Sequence, residues 1–344
     1  MRALVKTQKG AGYVEVRDVP EPSPGAGEVK IKIAACGVCG SDIHVYHDKF
    51  PYWPPVILGH EFTGTVVELG PECRRLRVGD RVVAEPHTRA CGTCYLCRTG
   101  NIQICPEKRS PGWGIDGGMA EFICYPERLL HRVPHSMTWD QAAVVEPVAN
   151  AVTDLLERTG VVAGDFVVVQ GPGPIGLTAA MVARAAGARE VVIIGAPGDA
   201  ALRLRKAREL GFQHTINIAQ ADPVAAVLDM TGGIGADIVA ECSGSPNAIP
   251  LTVELVRKMG KICVIGLTGG RPVELPWDKF AFKVVSVIFN MSTQYSAWDR
   301  TISLIHSGAV PAERLITHRE PLQNWKQVFE DIENLRALKA LLIP

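Results

Sequence analysis

Residues 166–195 read FVVVQGPGPIGLTAAMVARAAGAREVVIIG. An apolar β-type run enters a glycine turn, an alanine-rich helical stretch follows, and a second apolar run closes the unit. Within the turn, Gly171, Gly173 and Gly176 satisfy G-x-G-x-x-G, with Pro174 and Ile175 between the last two. Such a match alone is weak, but strand, turn, helix and strand together make the βαβ unit that seats a dinucleotide pyrophosphate at a helix N-terminus. Gly171, Gly173, Pro174, Ile175 and Gly176 are therefore candidate cofactor contacts. An acid about 20 residues onward holds the ribose in NAD-binding units, whereas an arginine there receives the 2′-phosphate of NADP. Here the second strand ends at Gly195, and Asp199 and Arg203 follow. Both are candidates, NAD and NADP both stay open, and solvated charges at a helix start are an equally good reading.

Working outward, the alternation persists from about residue 150: FVVVQ, EVVIIG, ADIVAEC and KICVIGL are separated by helical stretches such as AALRLRKARELG. This predicts an α/β fold with a doubly wound parallel sheet over 151–289. Upstream, VKIKIAAC, FTGTVVELG and GDRVVAE are short β-type runs punctuated by Gly and Pro, which predict a mostly β domain over 1–150. The tail, 290–344, holds the helical run WDRTISLIHSG and ends in ALKALLIP, which is expected to return to the first domain. Two domains suit a chain of 344 residues.

Lys plus Arg and Asp plus Glu both number 36, so the chain lacks the basic excess that nucleic-acid binding needs. No apolar stretch reaches the ~18 residues of a membrane span, and MRALVKTQKG lacks a signal-peptide core. A cytoplasmic protein with a small neutral partner is the expectation, with neither nucleic acid nor membrane.

Of the ten cysteines, four fall in CGTCYLCRTGNIQIC, which gives C-x2-C-x2-C-x7-C at Cys91, Cys94, Cys97 and Cys105. In a chain of this size four such thiolates predict one closed tetrahedral zinc that braces a lobe of about residues 88–108 and does no chemistry. A second set lies in CGVCGSDIH (36–44) and LGHEFTG (58–64), where Cys39, His60 and Glu61 offer a thiolate, an imidazole and a carboxylate. Glu146, an acid set between apolar residues in VVEPVANAV, is a fourth candidate. A catalytic zinc needs three protein ligands and an open position. Cys36 reads as strand core, and Cys73, Cys124, Cys242 and Cys263 as ordinary thiols.

With these motifs in this order, the chain resembles the zinc-containing medium-chain dehydrogenase/reductase family over nearly its whole length, and most of all its sorbitol (iditol) and threonine dehydrogenase branch. The resemblance implies a GroES-like domain formed by 1–150 with 290–344, a Rossmann domain, two zinc ions per chain, NAD or NADP as cofactor, and a homotetramer. It implies Cys39, His60 and Glu146 as main ligands of the catalytic zinc, Glu61 ligating or exchanging with water, and Ser41 and His44 as proton relay. The implied reaction is oxidation of a secondary alcohol, a polyol or sugar alcohol. Asn290 stands where sorbitol dehydrogenases tend to carry arginine, and Asn150 is reminiscent of threonine dehydrogenases, so amino-alcohol oxidation is the alternative. A non-catalytic dinucleotide- or zinc-binding protein is the reading of another class. Loops 46–57 and 109–118 are expected to line the pocket, with Phe50, Trp53, Trp113 and Trp298 as candidates or as plain packing.

Overall fold

In a computed structural model that describes residues 1–344, the chain divides into two units. One comprises Met1–Glu146, Thr293–His306 and Ile316–Pro344; the other comprises Pro147–Ser292 and Ser307–Leu315. The segment 307–315 groups with the second unit, where Arg314 donates to the Glu209 carbonyl (2.8 Å).

The second unit is a six-stranded parallel sheet in the order His214–Asn217, Glu190–Gly195, Phe166–Gln170, Ala236–Glu241, Val256–Val264, Ser286–Phe289. The strand carrying the glycine turn thus sits inside the sheet, and the strand order reverses beside it, where Rossmann sheets bind their ligands. Phe166–Gln170 is buried at every position, as a parallel strand covered on both faces must be. The following helix, Pro174–Ala185, has Gly173 as its N-cap and proline at N1, and it buries an unbroken run from Gly176 to Ala183. A Cβ on Gly176 would lie 1.9 Å from the Gly171 carbonyl oxygen, so only glycine lets the helix start this close to its strand. Phe166, Val168, Val192, Ile194, Val239 and Ile262 form the core, each worth about 1.5–3 kcal/mol on burial.

In the first unit a seven-stranded sheet is built on Glu28–Gly37, which pairs antiparallel with Glu61–Leu69, Phe122–Pro126 and the C-terminal strand Lys339–Ile343. Alternation in VKIKI sends Val29, Ile31 and Ile33 inward, and the tail does return to this sheet, Leu341 opposite Gly37 and Leu342 opposite Cys36. Gly37 is also opposite Glu61, so three strands meet where the candidate ligands lie. Cys36 is fully buried core. No helix is long and apolar enough to cross a membrane.

Candidate metal centres and dinucleotide turn

Cys39 stands just before helix Gly40–Tyr46, and Asp42 accepts its backbone N–H (2.9 Å), which fixes how the thiol enters the site. His60 follows Gly59, whose φ of +92° and whose lack of a Cβ against Cys36 Sγ (2.6 Å) allow the chain to turn there. Glu61 opens strand Glu61–Leu69. The ligand atoms of Cys39, His60 and Glu61 all lie within 4.8 Å of one another, and both His60 and Glu61 are buried. Glu146, also buried, is not part of this group of three, but its charge is felt at His60 and at Lys339.

Anions crowd the centre. Burial opposes a charge on the His60 ring, yet the Cys39 sulfur beside it, then Asp42 and Glu146, hold its pKa up at about 10. Asp42, fully buried, is raised chiefly by burial, and its Oδ1 lies 3.9 Å from His60 Nδ1. That separation is too long for a hydrogen bond, so the carboxylate acts on the ring through its charge alone. Ser41 Oγ, Asp42 Oδ1 and His60 Nδ1 are all buried without a hydrogen-bond partner. Orphaned polar atoms beside clustered thiolate, imidazole and carboxylate fit a divalent cation with N, O and S ligands. Lys339, from the C-terminal strand, donates to Glu61 Oε2 and to the Val38 carbonyl (3.1 Å). Although burial disfavours its charge, Glu61 and Cys39 raise its pKa. His44 is exposed on the same helix as Ser41, one turn further on. Against the centre, the Trp113 ring meets His60 edge-on at 4.7 Å, and Phe50 meets Trp113 at 5.2 Å.

The quartet comes together as spaced. Cys91 Sγ lies 3.9 Å from Cys97 Sγ and 3.6 Å from Cys105 Sγ, and Cys94 Sγ lies 4.0 Å from Cys105 Sγ. A tetrahedral ion with Zn–S of about 2.3 Å requires sulfurs about 3.8 Å apart; these three separations match that edge, and all four sulfurs lie within 4.8 Å of one another. Backbone N–H groups of Cys94 and Thr93 pull the Cys91 thiol down to about 6, toward the thiolate a metal needs.

At the dinucleotide turn, Asp199 and Arg203 are partners. One oxygen of Asp199 accepts the Ala196 N–H (2.9 Å) and the other accepts from Arg203 Nη1 (3.0 Å).

Residues 25–135 match the alcohol dehydrogenase GroES-like domain and residues 174–307 the zinc-binding dehydrogenase domain. A sorbitol dehydrogenase of Halalkalibacterium halodurans is 39% identical over 100% of this chain and 99% of its own length. The chain belongs to the zinc-binding dehydrogenase family. An L-threonine 3-dehydrogenase of Pyrococcus horikoshii is 34% identical over 96% of this chain and 94% of its own. A zinc-binding dehydrogenase of Sinorhizobium meliloti, solved with NADP bound, superposes with a TM-score of 0.93 at 31% identity, covering 100% of this chain and 99% of that one. This zinc-binding dehydrogenase is thus an alcohol-oxidising enzyme that uses zinc and a nicotinamide dinucleotide, with the expected GroES-like and Rossmann folds.

Several neighbours of the dehydrogenase's centre escaped the reading of the sequence. Asp42 sits inside the quoted CGSDIH run, and Lys339 is a lone charge in an apolar strand, a signal that a buried partner exists. Lys108, three residues past Cys105, is depressed by burial to about 8 against the pull of Glu146 and Cys105. His87 is buried and, chiefly by that burial, held down to about 3. Its Nε2 reaches the Thr293 carbonyl (3.0 Å), which leaves Nδ1 buried and unpartnered. Trp298 is fully buried and stacked on His131 at 5.4 Å, which makes it core. Trp53 is half exposed beneath Arg109, 3.8 Å from its ring. Asn290 accepts from Arg158 Nε (2.7 Å).

Proposed function

We propose that this zinc-binding dehydrogenase oxidises a secondary hydroxyl of a polyol or sugar alcohol, with Cys39, His60, Glu61 and Glu146 holding the catalytic zinc. The observation that carries the reading is the cluster of Cys39, His60 and Glu61 with the unpartnered Ser41 Oγ beside it on the next helical residues. Support for the substrate class comes from the sorbitol dehydrogenase relative and from a D-arabitol-phosphate dehydrogenase of Enterococcus avium, 31% identical over 99% of this chain.

A zinc ion there supplies Lewis acidity that lowers the pKa of a hydroxyl, and the dinucleotide accepts the hydride. The chain's own residues do the rest. Asp42, whose Oδ1 lies 3.9 Å from His60 Nδ1, would steady the ring through its charge while His60 offers the metal an imidazole nitrogen. Ser41 Oγ, buried and without a partner, would accept the substrate hydroxyl's proton as it gives up its own, and His44, exposed on the same helix, would take that proton toward solvent. Trp113 and Phe50 form an apolar wall that limits water. In the other unit, Gly171, Gly173, Pro174, Ile175 and Gly176 cradle the pyrophosphate, while Asp199 and Arg203 share the adenosine end. Cys91, Cys94, Cys97 and Cys105 hold the second, structural zinc. The unit containing 1–146 is the catalytic domain, and the parallel-sheet unit the dinucleotide domain.

The reading includes a cytoplasmic homotetramer. Support for self-assembly lies in Ser286–Phe289, an edge strand whose outer side is unpaired and whose neighbourhood exposes Trp277, Phe282, Phe289 and Met291. Such an edge needs covering, and a second copy of the same strand covers it.

Cofactor-reduction rates over sorbitol, xylitol, butanediol and L-threonine, each with NAD and NADP, test the reading. Polyols as best substrates support it. L-Threonine as best substrate replaces it with the amino-alcohol reading, which the threonine dehydrogenase relatives favour.

A further inference from the structure

Lys6, the last residue of strand Arg2–Lys6, is fully buried, which lysine almost never is without partners. Its ammonium donates to the carbonyls of Gly10, Gly12 (2.5 Å) and Tyr46 (3.4 Å) and lies 5.0 Å from the centre of the Tyr52 ring. Tyr52, 2% exposed, donates its hydroxyl to Asp48 Oδ1 (2.5 Å) and accepts the Gly10 N–H (2.9 Å). Lys9 covers the other part of the ring, 3.7 Å from its centre, and donates to the Tyr52 carbonyl. A backbone bond from Gly12 to the Tyr46 carbonyl (2.7 Å) completes a knot between residues 6–12 and 46–52.

The second strand of that knot is the start of a loop that borders the metal centre. Helix Gly40–Tyr46 runs into it from Cys39 and Ser41, and the Lys49 N–H closes the helix end on the His44 carbonyl (2.8 Å). Beyond the knot, Phe50 packs on Trp113, which packs on His60, and the Trp53 N–H bonds the Trp113 carbonyl (2.9 Å). The knot is thus connected to the metal ligands through one short helix on one side and two aromatic rings on the other.

We propose that Lys6, Tyr52 and Asp48 are positioning residues that set loop 46–57 against the metal centre and thereby determine how tightly the enzyme holds its alcohol. None of the three touches substrate; they act through Phe50, Trp113 and the helix that bears Ser41. A buried ammonium is a costly way merely to tie down a surface loop, because an apolar replacement of a buried ion group is often neutral or stabilising. What a carbonyl cage adds is a single geometry, since the three acceptors must all be met at once. The charges agree with this: burial depresses Lys6 while Asp48 opposes the shift, and the Tyr52 hydroxyl keeps Asp48 ionised. Displacement of a pocket wall by about 1 Å can cost up to about 100-fold in rate or affinity.

The inference rests on the proposed function, and its test is built to separate the two. Lys6→Met and Tyr52→Phe holoenzymes are compared with the wild type for KM of the alcohol, KM of the dinucleotide, kcat, zinc content and backbone hydrogen exchange. The expected result is a KM for the alcohol raised about tenfold or more, with cofactor KM and zinc content unchanged. Faster exchange is expected only in 7–13 and 46–57. An unchanged KM for the alcohol in Tyr52→Phe overturns the proposal, as does exchange that rises throughout the unit while every kinetic constant shifts together. Should Lys6→Met fail to fold, Tyr52→Phe, which loses a single oxygen, still decides. If the wild type oxidises none of the alcohols, the functional reading fails, and the exchange pattern alone judges whether the knot holds the loop.

Discussion

Lys339 and Glu61, 278 residues apart, form an ion pair with side chains 4% and 2% exposed, so a candidate zinc ligand is held by the last strand of the chain. Glu61 thereby has two claims on its carboxylate, a lysine and a metal. Breaking a buried pair strands the remaining charge at a cost of about 3–5 kcal/mol, whereas removing both partners together is far milder. Lys339→Met is therefore expected to lower stability by about that amount in metal-stripped protein, and Lys339→Met with Glu61→Gln to recover most of it. Denaturant unfolding of the wild type, both single variants and the double variant reads the coupling. Additive losses would show that the pair contributes nothing.

A second expectation concerns pH. His60 is held up to about 10 in the metal-free centre, above its ordinary 6.5. A group with a raised folded pKa stabilises fully below its unfolded value and loses that contribution as pH climbs through the folded one. The metal-free protein should thus lose stability between about pH 6.5 and pH 10, apart from other groups. Zinc uptake must displace this proton, so adding zinc at pH 7 should release protons, and affinity should fall as pH falls. Calorimetric titration in buffers of different ionisation enthalpy measures the release; zinc binding without proton release would contradict it.

Much of this arrangement was legible beforehand, for identifiable reasons. The Rossmann unit announces itself through period and punctuation, because a doubly covered parallel strand must be apolar throughout and Gly176 has no room for a side chain. The quartet is legible because four thiolates within one short segment can close only on one ion. Cys39, His60 and Glu61 are legible as residue types, but what surrounds them is tertiary. Lys339 reaches Glu61 only because its strand returns beside Gly37, and no spacing encodes that partner. Trp298 shows the reverse: an aromatic that reads equally as pocket or core is settled by the fold, here as core against His131.

Asp199 accepts both a backbone N–H and Arg203, and if these two residues meet the adenosine ribose, that bond would hold the arginine back from a 2′-phosphate. Asp199→Asn should release Arg203 and remove an acceptor for the ribose hydroxyls. The ratio of kcat/KM for NADP over NAD is expected to rise about tenfold, the equivalent of about 1.4 kcal/mol. Steady-state kinetics with both cofactors check it, and an unchanged ratio would place the adenosine contact elsewhere.

The quartet makes a prediction of a different kind, since a closed shell should carry stability and no chemistry. Cys97→Ser is expected to bind one zinc where the wild type binds two, to unfold at lower temperature, and to become sensitive to protease near residues 88–108. Below its unfolding temperature it should keep most of its kcat. Metal analysis with thermal melting and kinetics on the same preparation separates the two ions; complete loss of turnover in folded protein would give the quartet a part in the reaction.

The last prediction tests assembly. In strand Ser286–Phe289, Val287 and Phe289 alternate onto one face and are 40% and 71% exposed, while the strand's inner side is paired with Val256–Val264. An open, apolar edge recruits another strand unless a charge or a proline blocks it. Phe289→Lys places a charge on the exposed apolar face of this strand, and Val287→Pro removes a backbone donor. Either change should shift the protein toward smaller species in sedimentation velocity while the dinucleotide turn, built on strand Phe166–Gln170 farther inside the sheet, continues to bind cofactor. An assembly that survives both substitutions must be held by another surface, and the exposed strand would then need a different partner.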